Sequence, residues 1–232
     1  MTDFSEYEKC IFTNQEGEKL LYRLLKPHLV DNLTYPLVIH LHGVHERGQD
    51  NEIQLRNGGS LFLIPTNRQN FPAFVMFPQC PPKLRWGTAG WDDSVYNQTV
   101  SPTMQLVLDT INFLIKNYPI DTKRLYIMGL SMGGFGVLDV AMRRPKLFAA
   151  VIAICGGGIE QMAERIKTTP VWLFHGTEDE VVKVEYSRRM YEALKKVGGK
   201  VLYKEYPDTK HDCWIKVYQE PDLLPWLFSQ HL

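Results

Sequence analysis

The sequence predicts an α/β domain built on a mostly parallel central sheet with helices on both faces. Three observations carry this. Short apolar runs recur along the 232 residues. Their hydrophobicity is continuous rather than alternating, as in strands covered on both sides. Helix-periodic segments separate the runs, which favours right-handed crossovers between parallel strands.

The elements follow in order. Residues 10–13 and 19–25 flank a turn signal, Asn14-Gln-Glu-Gly17, and read as an N-terminal antiparallel hairpin. Buried strands are expected at 37–41, 73–77, 124–128, 149–154, 171–174 and 201–206. A helix over 104–118 carries Leu106, Val107, Ile111, Leu114 and Ile115 at helical spacing, and Pro119 stops it. A small-residue helix runs from 132 to 143, and a third from 184 to 197 ends at Gly198-Gly199. The segment 223–227, with Trp226, is expected in the core. No repeat or Pro/Ser linker appears, so residues 1–232 read as one domain.

Lysine plus arginine and aspartate plus glutamate number 26 each. A net charge of zero gives no electrostatic reason for a nucleic acid or an anionic membrane as partner. No stretch is long enough to span a bilayer, and the polar N-terminus shows no signal h-region, so a cytoplasmic location is expected, with a secreted protein whose signal has been removed as the alternative. A monomer or homodimer is expected. Cys10, Cys80, Cys155 and Cys213 lie far apart without a CxxC, against a metal site or disulfide scaffold. Cys155 reads as a buried thiol, and a Cys80–Cys213 bridge is left open because both fall in loops. No cofactor is expected.

The chemistry centres on Gly129-Leu-Ser131-Met-Gly133, between a strand and a helix. This G-x-S-x-G pattern places a serine on a tight strand-to-helix turn, where flanking side chains would collide with neighbouring backbone. A serine nucleophile so placed needs an acid after a later strand, then a histidine near the C-terminus. The turn after residues 171–174 offers Glu178, Asp179 and Glu180, and His211 follows the last strand. One oxyanion donor is the N–H of Met132. The other is assigned to Val44, in the loop His40-Leu-His42-Gly43-Val44-His45. Three histidines there lack the acidic partners of a usual ligand set, so no metal is expected. Arg47, near Asp50 and Glu52, reads as half of a loop-shaping ion pair, and His175 as a packing residue.

Five motifs occur in order: His42-Gly-Val-His-Glu46-Arg47-Gly48-x-Asp50-Asn51, Pro78-Gln-Cys-Pro81, Gly129-Leu-Ser-Met-Gly-Gly134, His175-Gly-Thr-Glu-Asp179 and His211-Asp-Cys-Trp214. Together they resemble the phospholipase/carboxylesterase branch of the α/β-hydrolases, from Pro36 onward. Dienelactone hydrolases, feruloyl and acetyl-xylan esterases and prolyl-oligopeptidase-type peptidases look like relatives. The resemblance implies that Ser131, Asp179 and His211 form a triad. It also implies that the loop at 42–44 is the oxyanion loop. The motifs do not select a substrate; an open site and the tryptophan-bearing loop at 81–93 point to small soluble esters, carbohydrate-linked or aromatic acyl esters among them. Many relatives carry a smaller residue at Val44. No large insertion separates Cys155 from Val171, so no bulky cap domain is expected. Trp86 and Trp91, in a Gly/Pro-rich loop, are candidates to wall a pocket for an acyl or sugar ring, with packing onto the domain as the competing reading. His45 is a third candidate substrate contact. A serine peptidase and a catalytically silent binding protein on the same fold are the alternative functions.

Overall fold

The computed structural model describes residues 2–87 and 99–232. Among these, eight strands form one sheet: β1 (Glu8–Thr13), β2 (Lys19–Leu25), β3 (Tyr35–Leu41), β4 (Phe74–Gln79), β5 (Ile120–Leu130), β6 (Ala150–Ile154), β7 (Val171–Gly176) and β8 (Val201–Tyr206). Their spatial order is β1-β2-β4-β3-β5-β6-β7-β8. β1 and β2 pair antiparallel with Asn14–Gly17 turning between them, β2 is antiparallel to β4, and the other pairs are parallel.

The helices are α1 (Pro65–Asn70), α2 (Pro102–Asn117), α3 (Met132–Arg143), α4 (Glu185–Lys196), α5 (Trp214–Val217) and α6 (Leu223–Phe228). α2 starts two residues before the apolar periodicity does. Ser101 accepts the Met104 N–H through its hydroxyl, and Pro102 fits the first turn, where its missing N–H costs nothing. α4 ends as expected: the Gly199 N–H reaches Leu194 O at 2.8 Å, with Gly198 at a φ of 69°.

Alternate residues of the central strands feed two cores. Leu37, Ile39, Ile127, Val151 and Leu173 pack under α2, α3 and α4. Val38, Met128, Ile152 and Phe174 pack under α5, α6 and the 3-10 turns of the 44–63 segment. Every residue of β3, β6 and β7 is buried, whereas edge strand β8 alternates with solvent. This is why the central strands read as unbroken apolar runs. Trp226 is half-buried, edge-on to Trp172, and Leu223, Leu224 and Leu227 supply the buried face of α6. A short 3-10 turn, Glu160–Ile166, fills the connection where a cap would be inserted. Among the described residues no helix is long and apolar enough to cross a membrane.

Candidate active site

Ser131 joins β5 to α3 with φ 53° and ψ −118°. A non-glycine residue at positive φ is strained, and such strain persists only where the surroundings impose it. Here the Ser131 N–H is tied to Ile154 O at 2.8 Å. A Cβ on Gly133 would lie 2.0 Å from the carbonyl oxygen of Leu41. The turn after the serine therefore presses directly on the end of β3, and only glycine fits there.

The loops after β7 and β8 bring up the other two groups. A Cβ on Gly176 would lie 2.2 Å from Thr209 O, and the Glu178 N–H donates to that same oxygen at 3.0 Å, lacing the two loops together. Ser131 Oγ is 2.8 Å from His211 Nε2, and His211 Nδ1 is 2.6 Å from Asp179 Oδ2. Of the three acids in the turn, Glu178 and Glu180 are exposed; Asp179 alone is buried. Its Oδ1 accepts the Val181 and Val182 N–H groups at 2.9 and 2.8 Å. Burial disfavours the charged form, but hydrogen bonds from His175 and His211 and the Val182 N–H outweigh it and hold the Asp179 pKa well below the usual carboxylate range. Trp214 meets His211 edge to face at 5.6 Å.

His175, read from the sequence as a packing residue, also touches Asp179. Its fully buried ring faces Val182 O at 2.8 Å and Asp179 Oδ2 at 3.2 Å through Nε2, and Ser187 Oγ at 2.7 Å through Nδ1. Ser187 in turn donates to Gly156 O. The signal was the motif spacing of His175 and Asp179, which their placement at a strand end turns into contact.

Across the serine runs the 42–47 loop. A Cβ on Gly43 would lie 3.6 Å from Ser131 Cβ. Val44 opens a 3-10 turn and Met132 opens α3, and neither N–H has an acceptor among the described residues. Two unsatisfied donors beside a serine suit an oxyanion. His42 anchors the loop. Its Nδ1–H donates to Gly43 O at 2.6 Å and its Nε2 accepts the Cys80 N–H at 2.9 Å, so the ring is neutral; burial pushes its pKa down to about 4.

Several expectations need correction. Trp86 is fully buried, edge-on to His42 and against Gly136, with its indole N–H on His42 O at 3.0 Å. It buttresses the loop from beneath rather than walling a pocket. Arg47 forms no ion pair with Asp50 or Glu52. It donates to Val44 O and Leu84 O at 3.0 and 3.2 Å. Asp50 instead accepts from Gln79, and Glu52 pairs with Lys9. Cys213 lies against Cys155 rather than Cys80, and all four cysteines are free thiols. His45 is exposed, and Trp91 falls outside the described residues.

A polar chain ties this loop to the far edge of the sheet. Gln79 accepts the Asn51 N–H at 2.8 Å; Asn51 Nδ2 donates to Cys10 O and Tyr22 O at 3.1 and 3.2 Å; Arg23 donates to Asn51 O at 3.0 Å.

Comparison with known proteins fits this geometry. The family model described as phospholipase/carboxylesterase matches residues 34–220. A crystal structure of a thermostable esterase superposes with a TM-score of 0.93 at 38% identity, over 99% of this chain and 64% of that one. Carboxylesterase SOBER1 of Arabidopsis thaliana is 30% identical over 40% of this chain and 48% of its own length. The bifunctional acetylxylan esterase/xylanase XynS20E of Neocallimastix patriciarum is 27% identical over 65% of this chain and 20% of its own. The chain thus spans under half the length of these two curated relatives. With the family model covering most of its length and the eight-stranded sheet in place, the chain belongs to the phospholipase/carboxylesterase family of α/β-hydrolases.

Proposed function

We propose that the protein hydrolyses carboxylic esters through an acyl-enzyme on Ser131. The observation that carries this is the unbroken line from Ser131 Oγ to His211 Nε2 and from His211 Nδ1 to Asp179 Oδ2. His211 takes the serine proton as Oγ attacks the acyl carbon. Asp179 holds the imidazole in the Nδ1–H tautomer and stabilises the imidazolium that forms. The Val44 and Met132 N–H groups receive the developing oxyanion. His211 then protonates the departing alkoxide, and water, activated by the same ring, releases the acid.

Small soluble esters are the proposed substrates, with carbohydrate-linked and aromatic acyl esters foremost. The short Glu160–Ile166 connection supports an uncapped site, and the acetylxylan esterase among the relatives supports an ester borne on a sugar. The test is hydrolysis of p-nitrophenyl acetate, butyrate and octanoate and of methyl ferulate by the wild type and Ser131→Ala. Turnover that disappears in the variant supports the reading. Equal turnover by both proteins, or none by the wild type, counts against it.

A further inference from the structure

Directly behind the Ser131–His211–Asp179 line lies a group of side chains that the hydrolytic mechanism does not use. Cys155 directly follows β6 with a φ of 40° and is fully buried. Its side chain neighbours that of Cys213, which is also fully buried and stands two residues after His211. Ligand atoms of Cys155, Asp179 and His211 all lie within 4.8 Å of one another. One sulfur, an imidazole nitrogen and a carboxylate oxygen thus come from three positions around one point, and the Cys213 thiol stands next to Cys155 outside that group.

We propose that Cys155, Asp179 and His211, joined by the neighbouring Cys213 thiol as it turns in, form a site for a thiophilic divalent cation of the zinc or cadmium type, and that its occupation switches the hydrolase off. The donor set selects the metal. Thiolates and imidazole suit zinc and cadmium, whereas magnesium and calcium demand oxygen shells that these residues do not supply. In a tetrahedral site with metal–sulfur bonds of about 2.3 Å and metal–nitrogen bonds of about 2.0 Å, ligand atoms sit roughly 3.5 Å apart. The Cys155, Asp179 and His211 atoms therefore need to close by about 1 Å, and Cys213 must turn in to join them, a side-chain adjustment rather than a refolding. Charge also balances. The two thiols lose a proton each as the dication enters, so the buried net charge is unchanged and no uncompensated ion is created.

The consequence for catalysis follows from which atoms are shared. Asp179 Oδ2 and the His211 ring are the atoms that orient the general base. A cation bound to them replaces the hydrogen bond between them and draws the imidazole from Ser131. Asp179 Oδ1 stays on the Val181 and Val182 N–H groups, so the acid has a fixed pivot on which to turn.

The experiment is a cadmium chloride titration of the full chain, carrying Cys10→Ser to remove the one partly exposed thiol. It is followed by cadmium–thiolate charge-transfer absorption and, in parallel, by p-nitrophenyl acetate hydrolysis. We expect the absorption to saturate at one cadmium per chain while hydrolysis falls along the same curve. Adding Cys155→Ala should abolish the absorption and raise the half-inhibitory cadmium concentration at least about tenfold. Should that variant fail to fold by circular dichroism, Cys213→Ala poses the same question. No thiolate absorption in the parent, or inhibition of the cysteine variant at the parent's concentration, overturns the proposal. The absorption does not depend on turnover, so failure of the esterase reading and failure of the metal site remain distinct results.

Discussion

The imidazole of His175 lies 3.2 Å from Asp179 Oδ2, the same oxygen that His211 Nδ1 holds at 2.6 Å. Two histidines thus converge on one carboxylate oxygen, one facing the nucleophile and one fixed by Val182 and Ser187. His175 is a positioning residue in this arrangement. Removing a hydrogen bond to a buried carboxylate costs about 1.5–3 kcal/mol, so His175→Ala should lower kcat by about 10- to 100-fold. Asp179 would also lose part of what depresses its pKa, and the acid limb of the pH–rate profile should move to higher pH. His175→Gln, with a donor near the Nε2 position, should recover part of both. An unshifted acid limb in His175→Ala would reduce the residue to packing.

The triad members should not fail equally. Ser131→Ala removes the attacking atom and should leave only background turnover. Asp179→Asn keeps the shape but favours the wrong imidazole tautomer, for a loss of about 10⁴ in kcat. Steady-state rates on one short ester decide this; an Asp179→Asn loss below tenfold would argue that another group orients His211.

Glycine substitutions separate steric from conformational cost. A Cβ on Gly133 would meet the Leu41 carbonyl at 2.0 Å, a backbone atom that cannot swing aside. Gly133→Ala should therefore cost at least about 3 kcal/mol or prevent folding. Gly17, at a φ of 83° in the hairpin turn, has nothing within 4 Å of its added Cβ. Gly17→Ala should cost only the roughly 1–2 kcal/mol of left-handed backbone strain. Chemical denaturation of both variants makes the comparison.

Acid should destabilise the fold before the carboxylates titrate. Burial lowers the pKa of His42 to about 4 and that of the neighbouring His40 to about 3. The unfolded chain protonates both near 6.5, so between that value and the folded pKa it binds more protons than the native state. Stability is then complete above about pH 6.5 and falls as pH drops toward 4, by on the order of 3 kcal/mol per ring. Melting temperature against pH should slope upward between 4 and 6.5 and flatten above. His40→Gln should shallow the slope, and a flat profile in the parent would refute the assignment.

How far the sequence could be read depended on whether a residue's role was local. Ser131 was legible because the strand before it, the helix after it and the glycines around it are all written within a few positions. The choice among Glu178, Asp179 and Glu180 was not, since three adjacent acids in a polar turn look alike until burial distinguishes them. The family resemblance selected Asp179, and the structure brings that residue to His211. Trp86 resisted for the opposite reason: a tryptophan in a Gly/Pro-rich loop looks surface-borne, yet this loop folds back over α3 and hides the ring against Gly136. The segment carrying the 3-10 turns Val44–Glu46, Ile53–Leu55 and Gly59–Leu63 has no apolar period to detect. Its order comes from side chains such as Asn51 and Gln79 bonding to distant backbone.

That last contact gives the hairpin a task beyond closing one margin of the sheet. β1 and β2 supply no reacting atom, but Cys10 O and Tyr22 O hold Asn51, and through Gln79 they steady the turn that presents Val44. Warming that frays this outermost pair of strands loosens the proposed oxyanion donors while Ser131, at the centre of the sheet, and His211 and Asp179 beyond it still stand in register. Heat inactivation should therefore precede global melting, with the enzyme losing its grip on charge before it loses its nucleophile.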